Sequence, residues 1–233
     1  MKTVGIIGGI GPESTVEYYR SIIASYREQT RDGSYPPVII NSIDMTKMLG
    51  LIAAGELAEV TGYLVGEVRR LAGAGADFGV LAANTPHIVF DDILRRSPIP
   101  LLSIVQATCD AAKDLGLKRL GLFGTRFTMR AGFYQDVFSR EGMTLVLPDE
   151  VEQDYIHDKY MNELVKGIFL PETRGRLLAM AERLKQQEGV QGLILGGTEL
   201  PLILREADVE GAGIPFLDTT RIHVKGVVAR LLS

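Results

Sequence analysis

The stretch Thr3-Val4-Gly5-Ile6-Ile7-Gly8-Gly9-Ile10-Gly11-Pro12-Glu13-Ser14-Thr15 joins a short apolar run to a glycine-rich loop and then to residues that begin a helix. An apolar run of this length, bounded by glycine, reads as a buried strand, and Pro12 suits the first turn of a helix. The same unit returns later in the chain. Gly5-Ile6-Ile7-Gly8-Gly9 resembles Gly121-Leu122-Phe123-Gly124-Thr125, an offset of 116 residues (5 to 121). Asn84-Thr85 corresponds to Gly197-Thr198 at an offset of 113 (85 to 198), and Ile99-Pro100-Leu101-Leu102-Ser103 to Ile214-Pro215-Phe216-Leu217-Asp218 at 115 (99 to 214). Three motifs that recur in one order at nearly one spacing read as two α/β halves of about a hundred residues each. The competing reading is an α/β chain that simply repeats strand–glycine–helix units.

Working outward, strands are expected at Thr3–Ile7, Val38–Ser42, Phe78–Ala82, Leu101–Ser103, Arg119–Phe123, Gly192–Leu195 and Phe216–Asp218. Helices are expected at Glu13–Glu28, Leu57–Ala72, Val105–Leu115, Ile156–Ile168, Arg174–Gln187 and Thr219–Leu232. Alternation of this kind predicts parallel sheets covered by helices. The expected fold class is therefore α/β, with two similar parallel-sheet domains related by a pseudo-twofold axis. The first takes residues 1–103 plus 216–233 and the second 104–215. Ligands of such sheets bind at the carboxyl ends of the strands, so the site is expected in the cleft between the halves.

Composition narrows the function classes. Hydrophobic residues are 46% and charged residues 23% of the 233, the balance of a globular protein. A net charge of -4 with no dense Lys/Arg cluster makes no case for nucleic acid. Cys109 is the one cysteine, which excludes an internal disulfide and a cysteine-based zinc site. The opening residues are too short and glycine-broken for a signal peptide, and no apolar run approaches the roughly 20 residues that span a bilayer. A cytoplasmic protein with no membrane partner is expected.

Three loops offer chemistry. Gly8–Ser14 leaves a strand and opens a helix, where backbone N–H groups can hold a carboxylate or phosphate oxygen. It fits a dinucleotide fingerprint poorly, because a proline intervenes and Ser14 stands where a small third glycine is usual. A tight turn without a ligand is the plainer alternative. The second loop, Ala83-Asn84-Thr85-Pro86-His87, and its counterpart, Gly196-Gly197-Thr198-Glu199, set hydroxyl and polar groups directly after a strand. His87 has a side chain suited to acid–base work near neutral pH, or it packs against the strand end through one hydrogen bond. Glu199 could likewise act chemically, or merely complement a helix start.

Taken together, the Gly-Gly-x-Gly-Pro-x-Ser loop, Asn84-Thr85, Gly124-Thr125 with Thr128, Gly196-x-Thr198-Glu199 and Asp218-Thr219-Thr220-x-x-His223 resemble the aspartate/glutamate racemases over essentially the whole chain. The resemblance implies an acidic amino acid or small dicarboxylate held between two halves, without pyridoxal phosphate, another cofactor or a metal, and often a homodimer. It implies substrate contacts at Gly9, Gly11, Asp44, Asn84, Thr85, Thr125, Lys166, Thr198 and Glu199. Two departures stand out. Met45 follows Asp44 where aspartate racemases often have arginine. The family's two catalytic cysteines, one serving each face of the α-carbon, would fall at Ala83 and Gly197. Neither side chain carries a proton, and Cys109, in a helical stretch, reads as a small buried hydrophobe. The expectation is thus a racemase-like protein without the two-thiol mechanism. Either it uses other groups, with His87 and Glu199 as the first substitutes and Asp44, His223 and Lys166 behind them, or it is a catalytically inactive homologue that binds small carboxylates.

Overall fold

The computed structural model describes residues 2–205 and 207–233; Met1 and Glu206 lie outside the described residues. In chain order the elements are β1 (Val4–Gly8), α1 (Pro12–Thr30), β2 (Val38–Ser42), α2 (Met45–Ala53), α3 (Leu57–Gly73), β3 (Phe78–Leu81), a 3-10 turn (Thr85–Val89), α4 (Phe90–Arg96), β4 (Leu101–Leu102) and α5 (Ile104–Asp114). There follow β5 (Arg119–Gly124), α6 (Arg126–Arg130), α7 (Phe133–Arg140), β6 (Thr144–Val146), α8 (Glu150–Asn162), a 3-10 turn (Leu164–Lys166), α9 (Pro171–Glu188), β7 (Gly192–Gly196), α10 (Leu200–Ile203), α11 (Asp208–Ala212), β8 (Phe216–Asp218) and α12 (Thr219–Leu232).

The strands form two parallel four-stranded sheets, β2-β1-β3-β4 and β6-β5-β7-β8. Both have the same order, with the first strand of each half flanked by the second and third. The chain divides into two compact units, one running to Ile104 and resuming at Thr220–Ser233, the other Val105–Thr219. The second crossing therefore lies beyond the 216 expected from sequence. Phe216–Asp218 pairs with β7 in the register Leu193↔Phe216, Ile194↔Leu217 and Leu195↔Asp218, so its hydrogen bonds hold it to the second sheet.

In the first unit, strand alternation sorts the core into two layers. Val4, Ile6, Phe78, Val80 and Ala82 face Tyr18, Ile22 and Tyr26 of α1 and Val224, Val227, Val228 and Leu231 of α12. Ile7 and Leu81 face the other way, onto α2, α3 and α4 through Met48, Ile52, Leu64, Val68, Leu71 and Ile93. Strand glycine here permits close helix packing: a Cβ at Gly5 would lie 2.9 Å from the Cβ of Ala76 and 3.0 Å from Leu71 Cδ1. Gly121 is its counterpart in the second unit, where a Cβ would meet Leu193 Cδ1 at 3.0 Å and Leu184 Cδ1 at 3.3 Å. That core gathers Leu120, Leu122, Phe123, Leu193, Leu195, Met180 and Leu184, all buried.

Candidate functional site

In the first unit the loops that leave β1, β2 and β3 are stitched together at the carboxyl edge of the sheet. Gly9 (φ 80°) and Gly11 (φ 74°) lie in the left-handed region that favours glycine. The Gly9 N–H donates to Thr15 Oγ1 at 2.8 Å, so this amide serves the turn itself. Ser14, buried, donates from Oγ to the carbonyl of Ala82 at 2.7 Å and ties the first loop to the one carrying Ala83, Asn84 and Thr85. The Ile43 N–H donates to Gly8 O at 2.9 Å, bringing in the loop of Asp44. Asp44 is the N-cap of α2: its Oδ1 accepts from the N–H of Thr46 at 2.8 Å and of Lys47 at 3.4 Å. Asn84 is buried and Thr85 half-buried.

The second unit repeats the arrangement with different groups. Thr125 caps α6, accepting from Thr128 N–H at 3.3 Å, and the two hydroxyls lie 3.1 Å apart. Glycines keep this edge tight: a Cβ at Gly196 would stand 2.9 Å from Phe123 O and 3.0 Å from Thr128 Cγ2. Next in the chain come Gly197, Thr198 and Glu199. The Glu199 residue is 8% exposed, yet its Oε2 accepts from Thr198 Oγ1 at 2.7 Å and from the phenol of Tyr160, on α8. Desolvating a carboxylate is costly unless hydrogen bonds replace water, and these two hydroxyls do so. Burial, then the Glu199 charge, holds the Tyr160 phenol well above its ordinary value, so it stays protonated and remains a donor.

The other sequence candidates fall differently. His87 is buried and stacked on Phe90, ring centroids 4.8 Å apart. Its Nδ1 lies 3.0 Å from Ala83 O, and its Nε2 accepts from the N–H of Ile104 at 3.2 Å. Those partners assign Nδ1–H as donor and Nε2 as acceptor, the neutral imidazole. Burial, followed by the neighbouring His223, pulls its pKa down to about 3. His87 thus fastens β3's loop to the start of α5 and has neither nitrogen to spare for a substrate, which corrects its place among the substitute acid–base groups. His223 is committed in the same way, to Tyr18 Oη at 2.9 Å and Leu102 O at 3.1 Å, and burial lowers it to about 4. Lys166 ends the 3-10 turn after α8, exposed, with no ion pair among the described residues. Cys109 is fully buried within α5, and burial pushes its thiol up to about 11.

Tyr160 was not legible from the sequence. It stands 39 residues from Glu199, and no local spacing links the two. Only the packing of α8 against β5, the neighbour of β7 in the sheet, brings them together.

This framework has close relatives. A candidate Asp/Glu racemase from Yersinia pestis superposes with a TM-score of 0.92 at 33% identity, covering 100% of both chains. An aspartate racemase homologue from Pyrococcus horikoshii OT3 does so with a TM-score of 0.88, again at 33% identity and 100% of both. A broad specificity amino-acid racemase of Bacillus subtilis (strain 168) is 25% identical over 247 residues, 99% of this chain and 98% of that one. The profile of the Asp/Glu/hydantoin racemases matches residues 7–227. With that match running over nearly its full length, the chain belongs to the Asp/Glu/hydantoin racemase family.

Proposed function

We propose that this protein takes an acidic amino acid or small dicarboxylate at its strand-end loops and moves a proton at the carbon beside the carboxyl group without a pair of thiols. The observation that carries this reading is the character of the two loops that follow the third strand of each sheet. Each sets amide and hydroxyl groups against a buried strand end, as anion recognition requires, and neither holds a sulfur atom: the positions are Ala83 and Gly197, and Cys109 is sealed inside α5. A second reading, a binding protein without turnover, is favoured by the first unit, where Ala83 has no ionisable side chain and His87 is fully engaged.

Ligand class and turnover are tested together. L- and D-aspartate, L- and D-glutamate and malate are expected to raise the melting temperature, since a ligand at a hundred times its Kd adds about 2.7 kcal/mol to native stability. Nucleotides are not. Protection by nucleotides alone would overturn the ligand class. Incorporation of solvent deuterium at the α-carbon separates turnover from binding alone.

A further inference from the structure

We propose that Tyr160 and Glu199 form the proton-handling pair of the second unit, seated in the space that a side chain at position 197 would occupy; the proposal deepens the function given above and rests on it. Gly197 has no left-handed φ, so its backbone alone would accept another residue. A Cβ placed there, however, would lie 2.5 Å from Tyr160 Cε2, 2.6 Å from its Oη and 2.8 Å from its Cζ. Carbon atoms in contact sit about 3.5–4.0 Å apart. A phenol at 160 and a side chain at 197 therefore exclude each other, and the unit holds the phenol.

The chemical part follows from where the hydroxyls point. Tyr160 and Thr198 both donate to Oε2 of Glu199. Among the described residues, none donates to Oε1 and no cation pairs with the carboxylate. One oxygen is thus held by two donors, and the other keeps its lone pairs for a proton. In the step proposed, Oε1 takes the proton from the carbon next to the substrate's carboxyl group. The O–H bond forms as the C–H bond breaks, and the electron pair moves into that carboxyl group. The carboxylic acid so formed on Glu199 exchanges its proton with water and returns one to the same carbon, and the electron pair closes the new C–H bond. Tyr160 acts through Glu199: it is a positioning residue that fixes which oxygen is offered and stabilises the carboxylate after each return. One carrier reaches one face, so the product exchanges its hydrogen and keeps its configuration.

The test uses the intact protein in D2O with L- and D-aspartate and glutamate, read by mass and by chiral separation. The expected result is deuterium at the α-carbon with retention of configuration. E199Q is expected to lower that rate by about 100-fold or more, the scale of a general acid–base group. Y160F should lower the rate at saturation by about tenfold, while the half-saturating concentration stays within about twofold, a split that mere loss of fold would not produce. Thermal protection by the ligand shows that each variant is folded and binds. Undiminished exchange in a protected E199Q overturns the pair and leaves the ligand class standing. Ligand protection of the unaltered protein without any exchange does the same. Inversion by the unaltered protein overturns the one-faced mechanism. Absence of both protection and exchange removes the pair and the function above together. A cycle of G197C, Y160A and the double variant checks the shared space without any activity: the double variant's melting temperature should fall by less than the two single drops combined, and additive drops overturn the steric argument.

Discussion

Two of the three histidines, His87 and His223, hold the first unit together as neutral rings, each with both nitrogens on a partner. Their depressed pKa values make stability depend on acid in a definite direction. An unfolded histidine titrates near 6.5, whereas the folded rings resist protonation until about 3 for His87 and about 4 for His223. Between those limits the unfolded chain binds more protons, so stability rises with pH: the contribution is complete above about pH 6.5 and is lost as pH falls toward 4 and below. Chemical denaturation at pH 7 and pH 4.5 should show the protein weaker at the lower value by up to about 1.4 kcal/mol per histidine per pH unit. H87N should reduce that slope, leaving the share of His223, while losing about 1 kcal/mol at neutral pH with the hydrogen bond from Ile104 N–H to the ring. A denaturation midpoint that does not move with pH would contradict the buried neutral rings. The same residue shows what sequence can and cannot say about a site. A histidine just after a buried strand invites an acid–base role, because the strand end is where ligands sit. Two of its partners, the Ala83 carbonyl and the ring of Phe90, are local, but the Ile104 N–H that takes up Nε2 lies 17 residues on and is set by tertiary packing. Glu199 was visible in its loop for the opposite reason, since its hydroxyl neighbour Thr198 is adjacent in the chain.

At the scale of elements, the apolar runs read as strands agree with seven of the strands observed: β1, β3, β5 and β7 are almost wholly buried, while the edge strand β2 is partly exposed yet carries the unbroken apolar run Val38-Ile39-Ile40. β6 escaped notice: Thr144–Val146 is a three-residue edge strand with an exposed first residue, and its hydrogen bonds to β5 compensate for a weak apolar pattern. α8 was placed too late, at Ile156–Ile168, because its hydrophobic periodicity is slight and its start is set by a polar signal. Asp149 accepts from the Glu152 N–H at 2.9 Å while the Glu152 carboxylate accepts from the Asp149 N–H at 3.3 Å, a reciprocal capping box. Gly167, left-handed at φ 72°, stops the 3-10 turn that follows the helix. D149A should cost about 1 kcal/mol and lower the melting temperature by about 2–4 °C in a chain of this size. Because α8 carries Tyr160, the same variant should loosen its hold on Glu199, readable as slower α-deuterium exchange. An unchanged melting temperature would show that the cap contributes nothing to the helix.

On the scale of the whole chain, the polypeptide leaves the first unit at Ile104 and re-enters it at Thr220, so one unit is contiguous in sequence and the other is not. The layer of Val224, Val227, Val228 and Leu231 on α12 shares with α1 the cover of Val4, Ile6, Phe78 and Val80, and an isolated N-terminal fragment would lack the α12 part of it. Residues 105–219 expressed alone are expected to melt cooperatively. Residues 1–104 alone should not, and should regain a cooperative transition when a peptide of residues 220–233 is supplied. A cooperative melt of 1–104 without that peptide would sink the argument. The duplicated strand order was readable from three motifs, but this interleaving was displaced by four residues at its second crossing, because strand pairing and not composition decides where Phe216–Asp218 belongs. The α12 layer is also the last part of the first unit to be synthesised. Chains usually complete their N-terminal domain first as they leave the ribosome. Here the order is inverted: the unit begun first must wait, with one face of its sheet covered by α1 alone, until Thr220–Ser233 emerges, after the last residue of the second unit. Translation that halts after Thr219 would release a product with a finished second unit and an aggregation-prone first one, and quality control would meet that half-built species during every round of synthesis.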